Sequence, residues 1–236
     1  MYKLNKKCII AIDGGAGVGK TTVSKDLSEK LGILYIDTGA MYRAAALYFI
    51  ENNIEITDEN IDNHFNNVVV DLKIENGNNV VLLNGENVTE KIRSEEVSMG
   101  ASDISKNTYV RKVLVEKQRK IAGKESVVIE GRDTTTVIFP NADIKIFLTS
   151  NIDTRANRRY NDLINKQNES VTWEKVKKDM IKRDNQDCTR KDSPLLKVQD
   201  AIEIDTTGNK VEDTTNIILD IIKKKVGLNY IWLIML

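Results

Sequence analysis

The sequence predicts an α/β fold in three layers, with a central parallel sheet of five strands covered by helices on both faces. Short apolar runs alternate with longer amphipathic stretches along the chain, and this order of elements is typical of a parallel sheet. Only two prolines, Pro140 and Pro194, occur among the 236 residues, so no proline-rich linker divides the chain. The predicted strands are CIIAID (8–13), ILYID (33–37), SVVIE (126–130), DIKIFL (143–148) and AIEID (201–205).

One stretch between the second and third predicted strands departs from this alternation. Residues 68–88 show no helical period, and NGNN (76–79) separates two runs that are rich in β-branched residues. A short Asn-Gly segment between two such runs is a strong hairpin signal. We therefore expect a small antiparallel β insertion within the α/β domain.

The composition favours a folded globular chain and gives no support to a nucleic-acid or membrane partner. Hydrophobic residues make up 41% and charged residues 30%, and the formal net charge is zero. A neutral chain exerts little long-range attraction on a polyanion or an anionic membrane. The basic start MYKLNKK is followed by too short an apolar run for a signal peptide, and the end GLNYIWLIML is too short to span a bilayer.

The cysteines and the histidine predict neither a disulfide framework nor a metal cluster. Cys8 and Cys188 lie far apart, and Cys8 falls in a predicted core strand, where a small apolar thiol is common. The single histidine, His64, has no histidine or cysteine near it in the sequence and is interpreted as a surface residue. A reducing, cytoplasmic compartment fits this pattern best.

A phosphate-binding motif lies between the first predicted strand and the first predicted helix. GGAGVGKTT (14–22) matches G-x-x-x-x-G-K-[ST] in the structural context that the motif requires, which favours binding over a ligand-free glycine turn. Backbone N–H groups and the helix N-terminus would bind phosphates, Lys20 would reach the β- and γ-phosphates, and the Thr21 hydroxyl would ligate Mg²⁺. The predicted ATP-binding residues are Gly14, Gly15, Ala16, Gly17, Val18, Gly19, Lys20, Thr21 and Thr22.

The motif alone leaves three classes of nucleotide-binding protein open. These are a small-molecule or nucleotide kinase, a nucleotide-hydrolysing switch or motor, and a non-catalytic binding module. A guanine-binding N-K-x-D motif would favour a switch. NKQN (165–168) does not match it, because Asn168 replaces the acidic residue and the segment follows a charged helix instead of a core strand.

Arginines collect where the predicted strands end. Arg43 lies on the first turns of the helix after ILYID, where it adds to the positive pole of the helix instead of offsetting it. GRD (131–133) follows SVVIE, and ligands of parallel sheets bind beyond the carboxyl ends of the strands. Arg43, Arg132 and Asp133 are therefore expected at the same edge of the sheet as the phosphate loop.

Two further sets of charged residues recur at helical spacing. Arg155, Arg158 and Arg159 share one helix face, as do Arg183, Asp187 and Arg190 if their helix continues. Either set alone is more often a solvated face than a site. Together with Arg43 and Arg132 they exceed what one triphosphate requires, whereas γ-phosphoryl transfer between two anions needs positive charge around donor and acceptor. The arginine count favours a kinase over a switch.

Several motifs, in their order along the chain, resemble bacterial cytidylate kinases, a family of nucleoside monophosphate kinases. The resemblance extends from about Ile9 to about Ile222, and the segments at about 66–93 and 150–170 resemble that family's nucleotide-binding insertion and arginine-bearing helical lid. It implies one P-loop kinase domain over 1–227, followed by an apolar tail over 228–236. The motifs are IDGGAGVGKTT, IDTGAMYRAAAL, IRSEEVSMGAS leading to VRKVLVEKQRK, VVIEGRDTTTVIFPNADIKIFLTS, and RDNQDCTRKDSPL.

The resemblance implies ATP-dependent phosphorylation of CMP and dCMP with Mg²⁺, by a protein expected to be a monomer. Another monophosphate, or a hydroxyl acid, is the alternative acceptor. By position, the family's roles fall on four groups of residues: Thr38, Arg43, Arg132 and Arg190 for the acceptor phosphate; Arg183 and Asp187 for the sugar; Ser102, Arg111 and Asp133 for the base; and Lys20, Arg155, Arg158 and Arg159 for the transferring phosphoryl group.

Three positions depart from the pattern of the family that the chain resembles. Gly15 stands where a proline is common, and Thr38 stands where a serine is usual, so the hydroxyl is kept. Thr135 stands where a glycine is usual, within GRDTTTV. If that position has a positive φ, a threonine there is strained.

Overall fold

The computed structural model describes residues 2–75, 78–123, 125–165 and 171–230. Its strands are β1 (Tyr2–Leu4), β2 (Ile9–Gly14), β3 (Leu34–Asp37), β4 (Val70–Glu75), β5 (Asn78–Leu83), β6 (Glu86–Asn87), β7 (Val127–Gly131), β8 (Ile144–Thr149), β9 (Ile202–Asp205) and β10 (Leu228–Tyr230). Its α-helices are α1 (Lys20–Leu31), α2 (Thr38–Glu51), α3 (Asp58–His64), α4 (Glu95–Ile104), α5 (Thr108–Ala122), α6 (Ile152–Asn165), α7 (Trp173–Thr189) and α8 (Val211–Lys225).

The predicted parallel sheet is confirmed. Strands run in the order β3-β7-β2-β8-β9, and every neighbouring pair is parallel. Each predicted run forms a strand whose ends lie within one residue of the prediction. Because alternate residues of a strand point to opposite faces, Ile10 and Ile12 pack with α1 and α8, whereas Ala11 packs with α5 on the other face. This gives the three layers that the sequence predicted.

The antiparallel β insertion is also confirmed. Strands β4 and β5 pair with Glu75 opposite Asn78, and β6 continues the small sheet beside β5. The predicted turn residues 76 and 77 lie outside the described residues. One face of the sheet is apolar and joins a buried cluster with α2 and α4, so the insertion shares a core with helices that reach the carboxyl edge of the central sheet.

The two ends of the described chain pair with each other. Strands β1 and β10 form a separate antiparallel ribbon, with Leu4 opposite Leu228, and both leucines pack against the cluster around β2, α1 and α8. Part of the predicted apolar tail is therefore a strand, and residues 231–236 lie outside the described residues. No helix in the described ranges is long and apolar enough to cross a membrane.

The two cysteines and the histidine differ in their exposure to solvent. Cys8 is fully buried, as predicted, and Cys188 is exposed. His64, interpreted as a surface residue, ends α3 and is half-buried. Of the predicted lid, α6 is described, whereas residues 166–170, which include most of NKQN, are outside the described ranges.

Candidate active site

A cleft of about 620 Å³ opens at the carboxyl ends of β2, β3 and β7. Its walls come from the phosphate loop, from α2, α4 and α5, from α6 and α7, and from the segment between β9 and α8. Seven of the nine predicted ATP-binding residues, 16 to 22, line it, as do all nine predicted substrate-binding residues. Ligands of parallel sheets bind at this edge, so the topology brings the predicted donor and acceptor residues together.

The phosphate loop joins β2 to α1 by a glycine-dependent path. Gly19 immediately precedes α1 with a φ of 93°, in the left-handed region that glycine adopts at little cost. A Cβ at Gly14 would lie 2.4 Å from the Leu148 carbonyl oxygen, so only glycine allows this approach to β8. Within the described chain no side chain caps α1. Its first N–H groups are therefore available for phosphate oxygens.

Lys20 and Thr21 point from the start of α1 into the cleft. The Lys20 ammonium donates a hydrogen bond to the Gly15 carbonyl at 2.7 Å. The pKa of Lys20 is lowered to about 7, mainly by burial and secondly by the positive charge of Arg132. The Thr21 hydroxyl donates to Glu130 Oε1 at 2.6 Å. The loop therefore presents one buried amine and one hydroxyl beside a carboxylate.

Thr38 and Arg43, on the first two turns of α2, line the same cleft. Asp37 caps this helix by accepting the Ala40 N–H at 3.0 Å, and its other oxygen accepts from Arg43 at 2.7 Å. The Thr38 hydroxyl donates to the Glu130 carbonyl at 2.8 Å. Arg43 is thus held by Asp37 at the helix start, while its buried Nε has no hydrogen-bond partner in the described chain.

A charged cluster built from β7 and α7 also lines the cleft. Asp187 accepts from Arg132 Nε at 2.8 Å and lies 3.5 Å from Arg190 Nη1. Burial raises the pKa of Asp187, but Arg132, Arg183 and Arg190 outweigh burial and lower it. Burial, with the charge of Arg132, lowers the pKa of Arg183 to about 10. The cluster therefore carries an excess of positive charge around one carboxylate.

The three residues predicted to contact a base lie deeper along the same cleft. Arg111 forms a buried ion pair with Asp133, donates to the Ser105 carbonyl at 3.0 Å and stacks over the Tyr42 ring at 5.3 Å. The Ser102 hydroxyl donates to Gln186 Oε1 at 3.2 Å. Asp133 is therefore paired with Arg111 and not with its sequence neighbour Arg132.

The arginines of α6 share one helix but have three different partners. Asn151 caps α6 by accepting the Thr154 N–H at 2.7 Å. Arg158 donates to the Thr206 carbonyl at 2.7 Å, and Arg159 forms an ion pair with Glu95 of α4. Arg158 and Arg159 line the cleft, whereas Arg155 contacts Asp184 and the Ala16 carbonyl on another side of the phosphate loop.

Two acidic site residues were not singled out from the sequence. Asp13 is the second-last residue of β2, immediately before the loop, and accepts four hydrogen bonds from Thr134 and Thr135. Glu130 lies near the end of β7 and accepts from the Thr21 and Tyr35 hydroxyls. An acidic residue at the end of an apolar strand, as in CIIAID and SVVIE, is the signal that could have identified both.

Thr135 adopts an ordinary backbone conformation in the π-helical turn Thr134–Ile138. The non-glycine residues of positive φ in the described chain are Asn53, Asn84 and Ser193. The strain expected for a threonine at a left-handed position therefore does not arise. Both the N–H and the hydroxyl of Thr135 instead bond to Asp13.

A phosphate loop that faces a cluster of arginines across one cleft defines the protein as a P-loop kinase with an anionic acceptor. Comparison with known proteins identifies the family within this class. The model of the cytidylate kinase family matches residues 10–224, so the chain belongs to that family. The cytidylate kinase of Thermosipho melanesiensis is 46% identical over 221 residues, covering 94% of this chain and 99% of the relative.

A second relative agrees with this assignment, and one solved structure has a similar fold. The cytidylate kinase of Carboxydothermus hydrogenoformans is 47% identical over 218 residues, covering 92% of this chain and 97% of the relative. The crystal structure of an uncharacterised protein from Eubacterium ventriosum covers 93% of this chain and 99% of its own, with a TM-score of 0.50 and 19% identity. At that identity it shows similarity of fold alone.

Proposed function

We propose that this chain transfers the γ-phosphoryl group of ATP to CMP and dCMP, forming CDP and dCDP. The observation that carries the proposal is the common cleft, in which the phosphate loop faces the cluster of Arg132, Asp187 and Arg190. The two parts are close enough for the charge of Arg132 to lower the pKa of Lys20. Transfer between two phosphates needs positive charge that both share.

The acceptor phosphate would lie against Thr38, Arg43, Arg132 and Arg190. Two guanidinium nitrogens in this region, Arg43 Nε and Arg190 Nη2, are buried without a partner in the described chain. Buried polar groups are nearly always paired, so an unpaired donor in a cleft favours a ligand there. Arg183, whose Nε is also unpaired, and Asp187 would contact the sugar.

The base would lie beside Ser102, Arg111 and Asp133. Cytosine offers an amino donor at C4 and acceptors at N3 and O2. A carboxylate suits the amino group, whereas a guanidinium and a hydroxyl suit the acceptors. The buried pair of Arg111 and Asp133 supplies a donor and an acceptor at one place. With the carboxylate facing C4, this pair would favour cytosine, which has an amino donor there, over uracil, which has a carbonyl acceptor.

The reaction would be a direct in-line transfer without a covalent enzyme intermediate. The acceptor is already an anion, so a strong general base is not needed. Lys20 would oppose charge on the migrating group, together with Arg158 and Arg159 of the predicted lid, which already line the cleft. Arg155, for which the resemblance implies the same role, is bonded to the Ala16 carbonyl and Asp184 outside the cleft lining. Closure of the lid would exclude water, which would otherwise accept the phosphoryl group.

The residues beside the phosphate loop fit Mg²⁺. The Thr21 hydroxyl oxygen and Glu130 Oε1, 2.6 Å apart on the cleft wall, are hard oxygen donors. Mg²⁺ in kinases takes one or two protein oxygens and completes its shell with phosphate oxygens and water. Bound Mg²⁺ would neutralise charge on the phosphates.

A panel of acceptors tests the function. ADP release would be followed by a coupled assay with CMP, dCMP, UMP, AMP, GMP and shikimate as acceptors. We expect turnover with CMP and dCMP; turnover only with another acceptor would identify a different kinase. ATP hydrolysis that no acceptor accelerates would favour a nucleotide-dependent switch.

A cytoplasmic location and a monomeric state remain predictions. Light scattering after gel filtration tests the monomeric state.

A further inference from the structure

The phosphate loop is bonded to helices α6 and α7 through one peptide unit. The Ala16 N–H donates to Asp184 Oδ1 of α7 at 2.9 Å, and the Ala16 carbonyl accepts from Arg155 Nη1 of α6 at 3.1 Å. Arg155 also forms an ion pair with Asp184 Oδ2. Both polar groups of the Ala16 backbone are thus fixed by a carboxylate and a guanidinium that bind each other.

The loop on either side of Ala16 lies close to side chains of α6 and α7. A Cβ at Gly15 would lie 3.1 Å from Asp184 Oδ1 and 3.2 Å from Arg155 Nη1, tighter than ordinary contact. A Cβ at Gly17 would lie 2.7 Å from the terminal methyl of Met180. Ala16 itself packs against the apolar cluster between α6 and α7. The loop therefore packs directly against α6 and α7.

Asp184 occupies a distinct place on α7. Its neighbours Arg183 and Asp187 line the cleft, whereas Asp184 faces the loop from outside the cleft lining. The bond from Asp184 to Ala16 thus fixes the donor loop relative to the helix that carries proposed acceptor contacts. The side chains of Arg155 and Asp184 are 13% and 19% exposed, so this pair is better shielded from solvent than a surface ion pair.

We propose that Asp184 is a positioning residue for ATP binding, which holds the phosphate loop in its phosphate-binding shape through the Ala16 peptide. Arg155 belongs to the same unit: it orients the Asp184 carboxylate and fixes the Ala16 carbonyl. This inference rests on the proposed function only in taking ATP as the phosphoryl donor. Asp184 touches neither substrate nor the transferring group.

The test is ATP affinity of Asp184→Asn in the full chain, measured without an acceptor by titration with a fluorescent ATP analogue. Asparagine keeps the size of the side chain but replaces one of the two acceptor oxygens, Oδ1 for Ala16 or Oδ2 for Arg155, with an NH₂ donor. Because a hydrogen bond to a charged group contributes substantially to stability, we expect the Kd for ATP to rise about tenfold or more. The KM for CMP should change less than twofold. An unchanged Kd for ATP would overturn the proposal.

A matched control separates positioning from general support of the lid. Asp153 and Lys177 form a second ion pair between α6 and α7, with 61% and 31% exposure, away from the loop. Asp153→Asn should leave the Kd for ATP within twofold of the wild-type value. Equal loss of ATP affinity in Asp153→Asn and Asp184→Asn would assign both residues to lid stability and overturn the proposal.

A double-mutant cycle tests whether Arg155 and Asp184 act as one unit. The Kd for ATP of Asp184→Asn combined with Arg155→Gln should equal that of Asp184→Asn alone, because the same constraint is lost. Additive effects would place Arg155 in an independent role. If Asp184→Asn does not fold, Arg155→Gln carries the test: a raised Kd for ATP supports the proposal, and a wild-type Kd overturns it. The Kd for ATP is measured without an acceptor. A negative result in the CMP assay would therefore contradict the proposed function without affecting this test of Asp184.

Discussion

Thr135 donates both its backbone N–H and its hydroxyl to the same carboxylate oxygen of Asp13, at 2.8 and 2.7 Å. Thr134 binds the other oxygen in the same way, at 2.9 and 2.7 Å. Asp13 immediately precedes the phosphate loop, and the two threonines immediately follow Arg132 and Asp133. One buried carboxylate thus joins the proposed ATP side of the cleft to the proposed acceptor side.

Removing the hydroxyl of Thr135 should destabilise the fold. Thr135→Val keeps the shape of the side chain and the N–H bond but leaves a buried carboxylate oxygen with one donor fewer. We expect the free energy of unfolding to fall by about 1–3 kcal/mol, the usual effect of losing one partner of a buried hydrogen bond. Urea denaturation followed by circular dichroism measures the change.

The next residue supplies the control for this prediction. The Thr136 hydroxyl is buried without a partner in the described chain, so Thr136→Val should be neutral or slightly stabilising. If both variants lose the same stability, the bond between Thr135 and Asp13 contributes nothing specific.

Binding of ATP should take up a proton at pH 8. Burial is the main cause that lowers the pKa of Lys20 to about 7, and the positive charge of Arg132 is the second. The amine is therefore mostly neutral at pH 8 before ATP binds. Bound phosphates favour the ammonium form and move the pKa back toward its ordinary value of about 10.5. ATP affinity should therefore fall as the pH rises from about 7 toward 10. Calorimetric titrations at pH 8 in buffers of different ionisation enthalpy measure the uptake.

Lys20→Ala should remove both the proton uptake and nearly all turnover. The loss of one preorganised partner of a developing charge costs about 3 kcal/mol or more, which is a rate decrease of about a hundredfold or more. An unchanged circular dichroism spectrum would establish that the fold is intact. A variant that keeps most of the wild-type rate would contradict the assignment of Lys20 to the donor site.

Asp133→Asn should narrow the preference for CMP over UMP. Uracil has a carbonyl at C4, which would face the Asp133 carboxylate as acceptor against acceptor, whereas an asparagine amide can donate to it. The variant should lower kcat/KM for CMP more than for UMP, with the Kd for ATP unchanged. Steady-state kinetics with both acceptors decide the matter. An equal decrease for the two would make the ion pair with Arg111 a structural feature and not a contact to the base.

Deleting residues 228–236 should lower the melting temperature and leave kcat unchanged. The deletion removes β10 and the packing of Leu228 on the core, far from the residues that line the cleft. Partial burial of one leucine is worth about 1–2 kcal/mol, and each kcal/mol corresponds to about 2–4 °C in a chain of this size. Deletion of 231–236 alone, which keeps β10, is the control. An unchanged melting temperature in the longer deletion would show that the ribbon adds no stability.

Local patterns were enough to predict the sheet, the β insertion and the position of the phosphate loop. Buried strands appear as short apolar runs, and each of the five strands formed within one residue of its predicted ends. The ribbon of β1 and β10 was not predicted, because strands of three residues show no period of their own and depend on pairing between the two ends of the chain.

Sequence patterns were sufficient to place most of the charged residues at the carboxyl edge of the sheet, because the ends of parallel strands meet there. The partner of each charged residue could be read only from the folded chain. Arg111 pairs with Asp133 across 22 positions, and Arg132 pairs with Asp187 across 55. Helical spacing places Arg155, Arg158 and Arg159 on one face, yet they bind α7, the segment after β9, and α4. A local period fixes the direction of a side chain relative to its own helix, whereas the packing of distant elements fixes what that side chain meets.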